Sequence, residues 1–479
     1  MKRWAVAVGI LLLAMLVRLW GLGAQSLWMD EAFSYLFATL PPDTAWQAII
    51  VDAVHPPLYY VLLRLWLVLA GQSEFALRFP SVLAGGLTVA LLLRAGRCWL
   101  DRRIARWAAL LMALNPFHIW YSQEARMYAL LGLLALAVLM AFWQALHTRC
   151  PWAWAALAGI SGLAYVIHYF ALYLPLVEFA FLVMTFRRHH RVLGRWTIVQ
   201  ALAALPLTAW LVALYTIAGG TFGIGWICRP QPADLLRTLW SFGMAYDGHV
   251  TPQVVVLLSI WGGLLVLGAW RGEGARRLLV LSLALPPLAT FFLSLRRPTY
   301  VDRFFIGSLP AFLLLAAAGL VRLPRLGRWA LGLALACMSL WGVMRFRFLE
   351  DPLYAKEDWR GAAAYIEVHG RADDALALRQ FQYMVPFRYY YGGALEPVAV
   401  TLNGETTSLG DIITDHERLW LLFRARHEGL HDLARGESFV LERDETQHVV
   451  RNWISNQCAT QIVVFPGVTV MLFDLRDSP

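Results

Sequence analysis

Residues 57–71 read PLYYVLLRLWLVLAG, an apolar run with one charge, Arg64, in its middle. The run is about as long as a re-entrant or interfacial segment, and shorter than the roughly 20 residues that a full span needs. Pro56 and Pro57 open it and set the direction of a helix start. His55, just before them, is held out of helical geometry. Whether this run crosses a membrane decides the side on which every later loop lies.

Longer apolar runs surround it, at 4–20, 76–96, 104–120, 127–146, 152–170, 171–186, 196–216, 253–270, 278–295, 303–321 and 329–346. The chain is 59% hydrophobic and 15% charged, against about 25% charged in ordinary soluble domains. These features predict a multi-pass α-helical membrane protein of about 11 spans plus interfacial juxtamembrane helices. Its 22 Trp suit many membrane–water boundaries, where indole rings settle. A formal charge of +9 could suggest a nucleic-acid partner, but the Arg residues sit in short loops between apolar runs, so topology explains them and no nucleic acid is expected. The cysteines at 98, 150, 228, 337 and 458 form no CxxC pair and read as buried small apolar residues. Met1-Lys2-Arg3 before an apolar run resembles a signal peptide, but Leu22-Gly23-Ala24 is a poor cleavage site; the expectation is an uncleaved first span.

Arginine distribution tests the reading of 57–71. With the N-terminus in the cytoplasm and 57–71 not crossing, the inside loops are 94–106, 147–149, 187–195, 271–277 and 322–328, nearly all of the Arg-rich turns. If 57–71 crossed, each would swap sides against the positive-inside rule. The run is therefore assigned to the outer interface, in a first outer loop spanning 21–75. Asp30-Glu31, His55, Gln123–Arg126, His168-Tyr169 and Arg296–Arg303 then share one outer face.

Each polar cluster has a plain reading and a chemical one. Asp30 and Glu31, in Trp28-Met29-Asp30-Glu31, are solvated loop acids or a catalytic pair. Facing lipid at the bilayer centre, one Asp would cost about 2.5–3.5 kcal/mol. Adjacent side chains point apart, so one acid does chemistry while the other binds substrate or holds the loop. Asp30 is a candidate general base. His55 and Tyr59 start a plain helix or belong to a re-entrant element near the acids. Glu124 and Tyr128 would share a face if both were helical. Arg126 is a snorkelling side chain or an anion ligand, with Glu124 a second acid. Arg296, Arg297 and Arg303, with Tyr300, cluster against the positive-inside trend, and guanidinium geometry suits phosphate. A base, an arginine anion site and aromatics at membrane depth fit attack on a sugar carried by a polyprenyl phosphate. Phosphate is a weak base, with a second pKa of about 6, so it needs charge stabilisation more than protonation, unlike the two-carboxylate glycosidases.

Taken in order, Trp28-Met29-Asp30-Glu31, His55-Pro56-Pro57-Leu58-Tyr59-Tyr60, Glu74-Phe75-Ala76-Leu77-Arg78-Phe79-Pro80-Ser81, Gln123-Glu124-Ala125-Arg126-Met127-Tyr128-Ala129-Leu130 and 300–310 resemble a known family. They are similar to the GT-C-fold membrane glycosyltransferases that use polyprenyl-phosphate sugars. The protein O-mannosyltransferases and the bacterial transferase that adds aminoarabinose to lipid A are the groups most alike. The resemblance covers most of residues 1–320, and the tail, from Asp358-Trp359-Arg360, is similar to the outer domain of some bacterial members. It implies a first-loop Asp as base, matched by Asp30, with Glu31 supporting the acceptor site, and basic outer-loop residues on the donor phosphate. The aminoarabinose transferase has Lys where His55 stands, so a phosphate contact there would fall to an imidazolium. Metal dependence varies across the fold, which leaves open a divalent ion shared by Asp30 and Glu124.

The reading is thus a glycosyltransferase of the cytoplasmic (inner) membrane, passing a sugar to a glycolipid, polysaccharide or protein on the outer face by a single inverting displacement. Residues 1–348 form the transmembrane domain and 349–479 a small extracytoplasmic α/β domain, with strand-like runs at Ala375–Leu378, Leu419–Phe423, Phe439–Leu441, Gln461–Phe465 and Val468–Leu472 and a helix at Asp358–His369. Arg126, Arg297 and Arg303 are assigned to the phosphate. Acceptor choice is assigned to 217–250 and 349–479. The alternatives are a lipid or glycolipid transporter or flippase, opposed by the lack of internal repeats, and a non-catalytic relative, opposed by an intact Asp30-Glu31.

Overall fold

The computed structural model describes residues 2–148, 150–219, 227–245, 252–270, 272–348, 356–379, 381–400, 412, 416–424 and 459–476. The Phe439–Leu441 run, Cys458 and parts of 217–250 lie outside these. The chain divides into two compact units, one of Met1–Leu22 with Phe37–Arg347, the other of Gly23–Leu36 with Phe348–Pro479.

The first unit is helical. Among the described residues six helices are long and apolar enough to cross a membrane: Glu74–Trp99, Tyr128–His147, Phe186–Ile217, Ala275–Ser294, Asp302–Arg322 and Arg325–Arg345. Five shorter apolar helices accompany them: Trp4–Leu19, Leu58–Ala70, Pro151–Ile167, Tyr169–Met184 and Gln253–Ala269. The chain is a multi-pass membrane protein. The helix at Leu58–Ala70 has 13 residues, about 20 Å of rise against a hydrocarbon core of about 30 Å. It buries Tyr59, Tyr60, Leu63 and Leu67 on one stripe and exposes Leu65, Val68 and Leu69. Arg64 turns off that apolar surface and donates to the carbonyls of Phe37 and Leu40.

The predicted span 104–120 is broken. Asp101 caps the helix Arg102–Leu114 by accepting from the amides of Arg103 and Ile104. The helix stops at Asn115 because Pro116 cannot continue it. Asn115 Oδ1 then accepts from the His118 amide at 2.9 Å to start Pro116–Ser122, while its Nδ2 donates to the Phe242 carbonyl at 2.7 Å. Arg18, fully buried at the end of the first helix, donates to the carbonyls of Ala14, Met112 and Ala113 and to Ser122 Oγ, and contacts His118 Nδ1 at 2.7 Å. These contacts tie the first helix to the break. Cys98, Cys150, Cys228 and Cys337 are exposed rather than buried. Residue type alone does not say whether a small side chain packs inward or outward, so their burial was not readable from type.

The second unit has a five-stranded sheet of β1 (Ala375–Leu378), β2 (Pro397–Ala399), β3 (Arg418–Arg424), β4 (Gln461–Phe465) and β5 (Val468–Asp474), in the order β2-β1-β3-β5-β4. β1 runs parallel to β2 and β3, while β5 is antiparallel to β3 and β4. Side chains alternate across the sheet. Leu376, Leu378, Trp420, Leu422 and Val470 face one core with Trp359, Ala362 and Ile366 of the helix Trp359–His369. Ala377, Leu421, Met471 and Phe473 face the other. Asp358 caps that helix by accepting from the Gly361 amide at 3.0 Å. The sequence reading missed β2, three residues long, and the helix Phe381–Tyr390, which contains Pro386.

Candidate active site

The acid motif belongs to the second unit. Asp30 and Glu31 occupy the first turn of the helix Met29–Thr39, where the helix dipole favours negative charge. Asp30 is half-buried. Glu31 is 0% exposed and forms an ion pair with Lys356 Nζ at 3.0 Å. The Trp28 amide donates to Glu31 Oε2 at 3.4 Å, a reach back to the start of the helix. The preceding segment is held by the same unit. Tyr390 Oη accepts from the Leu27 amide at 2.7 Å, and Ser26 Oγ accepts from the Arg360 amide at 3.2 Å. Met29 packs against the core around Trp359.

In the first unit a basic and aromatic cluster forms around Tyr128. Arg126 and Arg303 lie 5.9 and 5.7 Å from the Tyr128 ring centre. The His55 and His168 rings are 4.9 Å apart, and lie 6.5 and 6.0 Å from Tyr128. Phe304 closes the group, 5.0 Å from His168. His168 is placed by the break between helix Pro151–Ile167 and the turn Tyr169–Leu172, where its Nδ1 accepts from the Phe170 amide at 3.1 Å. That bond fixes the tautomer, so Nε2 carries the proton. His168 Nε2, His55 Nδ1 and Tyr128 Oη are all buried without a hydrogen-bond partner among the described residues.

Burial, followed by Arg126 and Arg303, lowers the His168 pKa to about 3. Burial first, then Arg126, His168 and Arg303, holds His55 well below its usual value. Both shifts favour the neutral imidazole over the imidazolium. The cluster presents two permanent cations, with neutral polar groups oriented beside them. Such a set suits a desolvated anion.

The predicted residues are not all brought together. His55, Arg126, Tyr128 and Arg303 converge. Glu124 is buried in the turn before helix Tyr128–His147, with Oε1 accepting from Trp120 Nε1 at 2.7 Å. Since the helix starts at Tyr128, Glu124 and Tyr128 do not share a helical face. Tyr59 packs on Tyr60 at 5.7 Å. Arg297 is exposed. Tyr300 belongs to another network, with its hydroxyl 2.7 Å from Thr238 Oγ1. Thr238 and Ser241 also donate to the Asp302 carboxylate, at 2.9 and 2.7 Å. Sequence reasoning gave no role to His168, Phe304 or Lys356. His168 did carry a signal, as the polar interruption between two apolar runs. Among the described residues no three His, Cys, Asp or Glu side chains group as a metal site, and Asp30 and Glu124 fall in different units.

An apolar cleft adjoins the cluster, lined by Leu131, Leu139, Leu174, Val177, Phe170 and Phe304 among others. Phe304 is common to both, so the cleft, lined by residues of helices Tyr128–His147 and Tyr173–Met184, lies beside the cluster.

Residues 54–220 match the family model described as dolichyl-phosphate-mannose-protein mannosyltransferase. No curated protein sequence matches. Among solved structures, ArnT from Cupriavidus metallidurans in the apo state is 14% identical, covering 98% of this chain and 98% of that one at a TM-score of 0.63. The same protein bound to undecaprenyl phosphate gives 13% identity, 97% of both chains and 0.62. The Archaeoglobus fulgidus oligosaccharyltransferase in complex with Zn and sulfate is 12% identical over 86% of this chain and 67% of that one, at 0.53. In sequence over residues 54–220 and in fold over nearly its whole length, the chain resembles the GT-C-fold membrane glycosyltransferases that use polyprenyl-phosphate sugars.

Proposed function

We propose that this chain, a glycosyltransferase by that resemblance, moves a sugar from a polyprenyl phosphate to a glycolipid, polysaccharide or protein on the outer face of the cytoplasmic membrane. The observation that carries the reading is the convergence of Arg126, Arg303, His55, His168 and Tyr128 beside an apolar cleft. Arg126 and Arg303 take the donor phosphate, His168 Nε2–H and Tyr128 Oη donate to its oxygens, and the cleft takes the first isoprene units. Cupriavidus ArnT, of similar fold, binds undecaprenyl phosphate.

In the reaction Asp30 takes the proton of the acceptor hydroxyl or amine. The freed lone pair attacks the anomeric carbon, and the carbon–oxygen bond to phosphate breaks. Polyprenyl phosphate leaves with that electron pair, its charge held by the two arginines, and the anomeric configuration inverts. The proposed topology has about 11 spans, with Leu58–Ala70 in the outer interface. Residues 1–348 are the membrane domain and 349–479 an extracytoplasmic α/β domain.

Undecaprenyl phosphate binding to the purified full-length protein tests the site. Arg126→Gln and Arg303→Gln are each expected to weaken it by about tenfold or more, the worth of a charge-assisted contact, while undecaprenol binding is unchanged. Unaltered phosphate binding in both variants contradicts the assignment.

A further inference from the structure

We infer that Lys356 is a positioning residue for the acid motif: its ammonium holds Glu31, and through the first turn of the helix Met29–Thr39 it sets the bearing of Asp30. This rests on the reading of Asp30 as the base. The pair spans 325 residues of sequence and lies within one unit. Side-chain exposure is 7% for Lys356 and 0% for Glu31, so both charges have left water. The chain contains 39 Arg but only two Lys, Lys2 and Lys356. A lone lysine at a buried carboxylate, in a chain that otherwise uses arginine, marks a place where a compact point charge is required.

A buried ion pair is a poor source of net stability, since two well-packed apolar side chains do as well or better; fixing register is its best-attested use. Here the register is rotational. Met29 is seated in the core around Trp359 and Glu31 is tethered to Lys356, two residues on, so the turn cannot roll. Asp30 lies between them, about 100° from each around the helix. The tethers from Tyr390 to Leu27 and from Arg360 to Ser26 fix the strand of chain that leads in. Glu31 therefore holds the loop, and the C-terminal residues that follow the last membrane helix are part of the catalytic apparatus through it.

A double-mutant cycle on the full-length protein reads this directly. The assay follows undecaprenyl phosphate released from a panel of undecaprenyl-phosphate-linked hexoses, pentoses and aminopentoses, using whichever sugar the unaltered protein turns over. Glu31→Gln and Lys356→Met are each expected to lower kcat by about tenfold or more with donor KM changed by less than about threefold, and the pair together to lose no more than the worse single change, because both cut one tether. If Lys356→Met strands a buried charge and does not fold, the neutral double variant still does, and it is expected to show the same loss of kcat. Losses that multiply in the double variant overturn the proposal, as does kcat within about twofold of the unaltered protein in Lys356→Met or the double variant. Asp30→Asn, run alongside, separates the two readings. An active Asp30→Asn defeats the base assignment itself, whereas an inactive Asp30→Asn beside a fully active double variant defeats only the positioning role.

Discussion

At the scale of single residues, burial decides which groups carry charge. His55 and His168 would read as ordinary titrating histidines in a loop, but burial first, and then the two nearby arginines, lowers both pKa values. The sign of the resulting pH dependence follows from linkage. The folded pKa of His168, about 3, lies below its usual 6.5, so the unfolded chain takes up the proton first. Stability is then complete above about pH 6.5 and is lost as pH falls towards 3, by about 2 kcal/mol at pH 5 from this histidine alone; His55 acts in the same direction. Thermal inactivation of the detergent-solubilised protein should move to lower temperature between pH 7 and pH 5. Replacing His168 by Gln, whose amide supplies a side-chain N–H donor but does not titrate, should flatten part of that dependence. An unchanged profile in the variant would remove His168 as its source. The acids Asp30 and Glu31 were legible as unusual from sequence alone. Their difference was not, because it depends on a lysine 325 residues away.

At the scale of elements, helix ends and helix contacts place the cluster. The late element bearing Arg303 is anchored next to that residue, where Asp302 accepts from Thr238 and Ser241 of the helix Pro232–Met244. Asp302→Ala would leave the buried Ser241 hydroxyl without its acceptor, while Thr238 keeps Tyr300, and would loosen Arg303. It should cost about 1–3 kcal/mol of stability and weaken undecaprenyl phosphate binding; a drop in stability with binding untouched would show that the anchor does not reach the anion site. Helices Pro252–Ala269 and Leu309–Arg322 meet through glycines, where a Cβ on Gly319 would strike the Leu264 carbonyl and one on Gly268 that of Leu315. Gly319→Val should therefore reduce the yield of monodisperse protein sharply, whereas a substitution at Gly263, which has open space, should not. Long apolar runs were readable because hydropathy needs no tertiary context. The break at Asn115 was not, since it depends on Pro116 and on a carbonyl donated to by Asn115 from 127 residues away. The short strand β2 was lost for a like reason: three residues carry too little periodicity, and pairing with β1 defines it.

For the whole molecule, the chain order of motifs carried more than any one of them. On the arginine reading of 57–71, Asp30, His55, Arg126, His168 and Arg303 are expected to share one face; of the ten named site residues, His55, Arg126 and Arg303 lie around the ring of a fourth, Tyr128. Tyr300 and Glu124 also have partners outside that ring, Thr238 and Trp120, which depend on side-chain direction that sequence does not encode locally. The membership of Gly23–Leu36 in the C-terminal unit was likewise hidden, because it rests on contacts from Lys356, Arg360 and Tyr390 rather than on any pattern within the loop. The central claim is that Asp30 is the base of a sugar transfer from polyprenyl phosphate. It is tested most directly by single-turnover transfer from a labelled undecaprenyl-phosphate sugar in membranes containing the full-length protein or its Asp30→Asn variant at equal, correctly inserted levels. The account predicts that transfer by Asp30→Asn is slower by about 10²–10⁴, the usual worth of general-base catalysis, with undecaprenyl phosphate binding retained. Transfer by Asp30→Asn at the unaltered rate would contradict it.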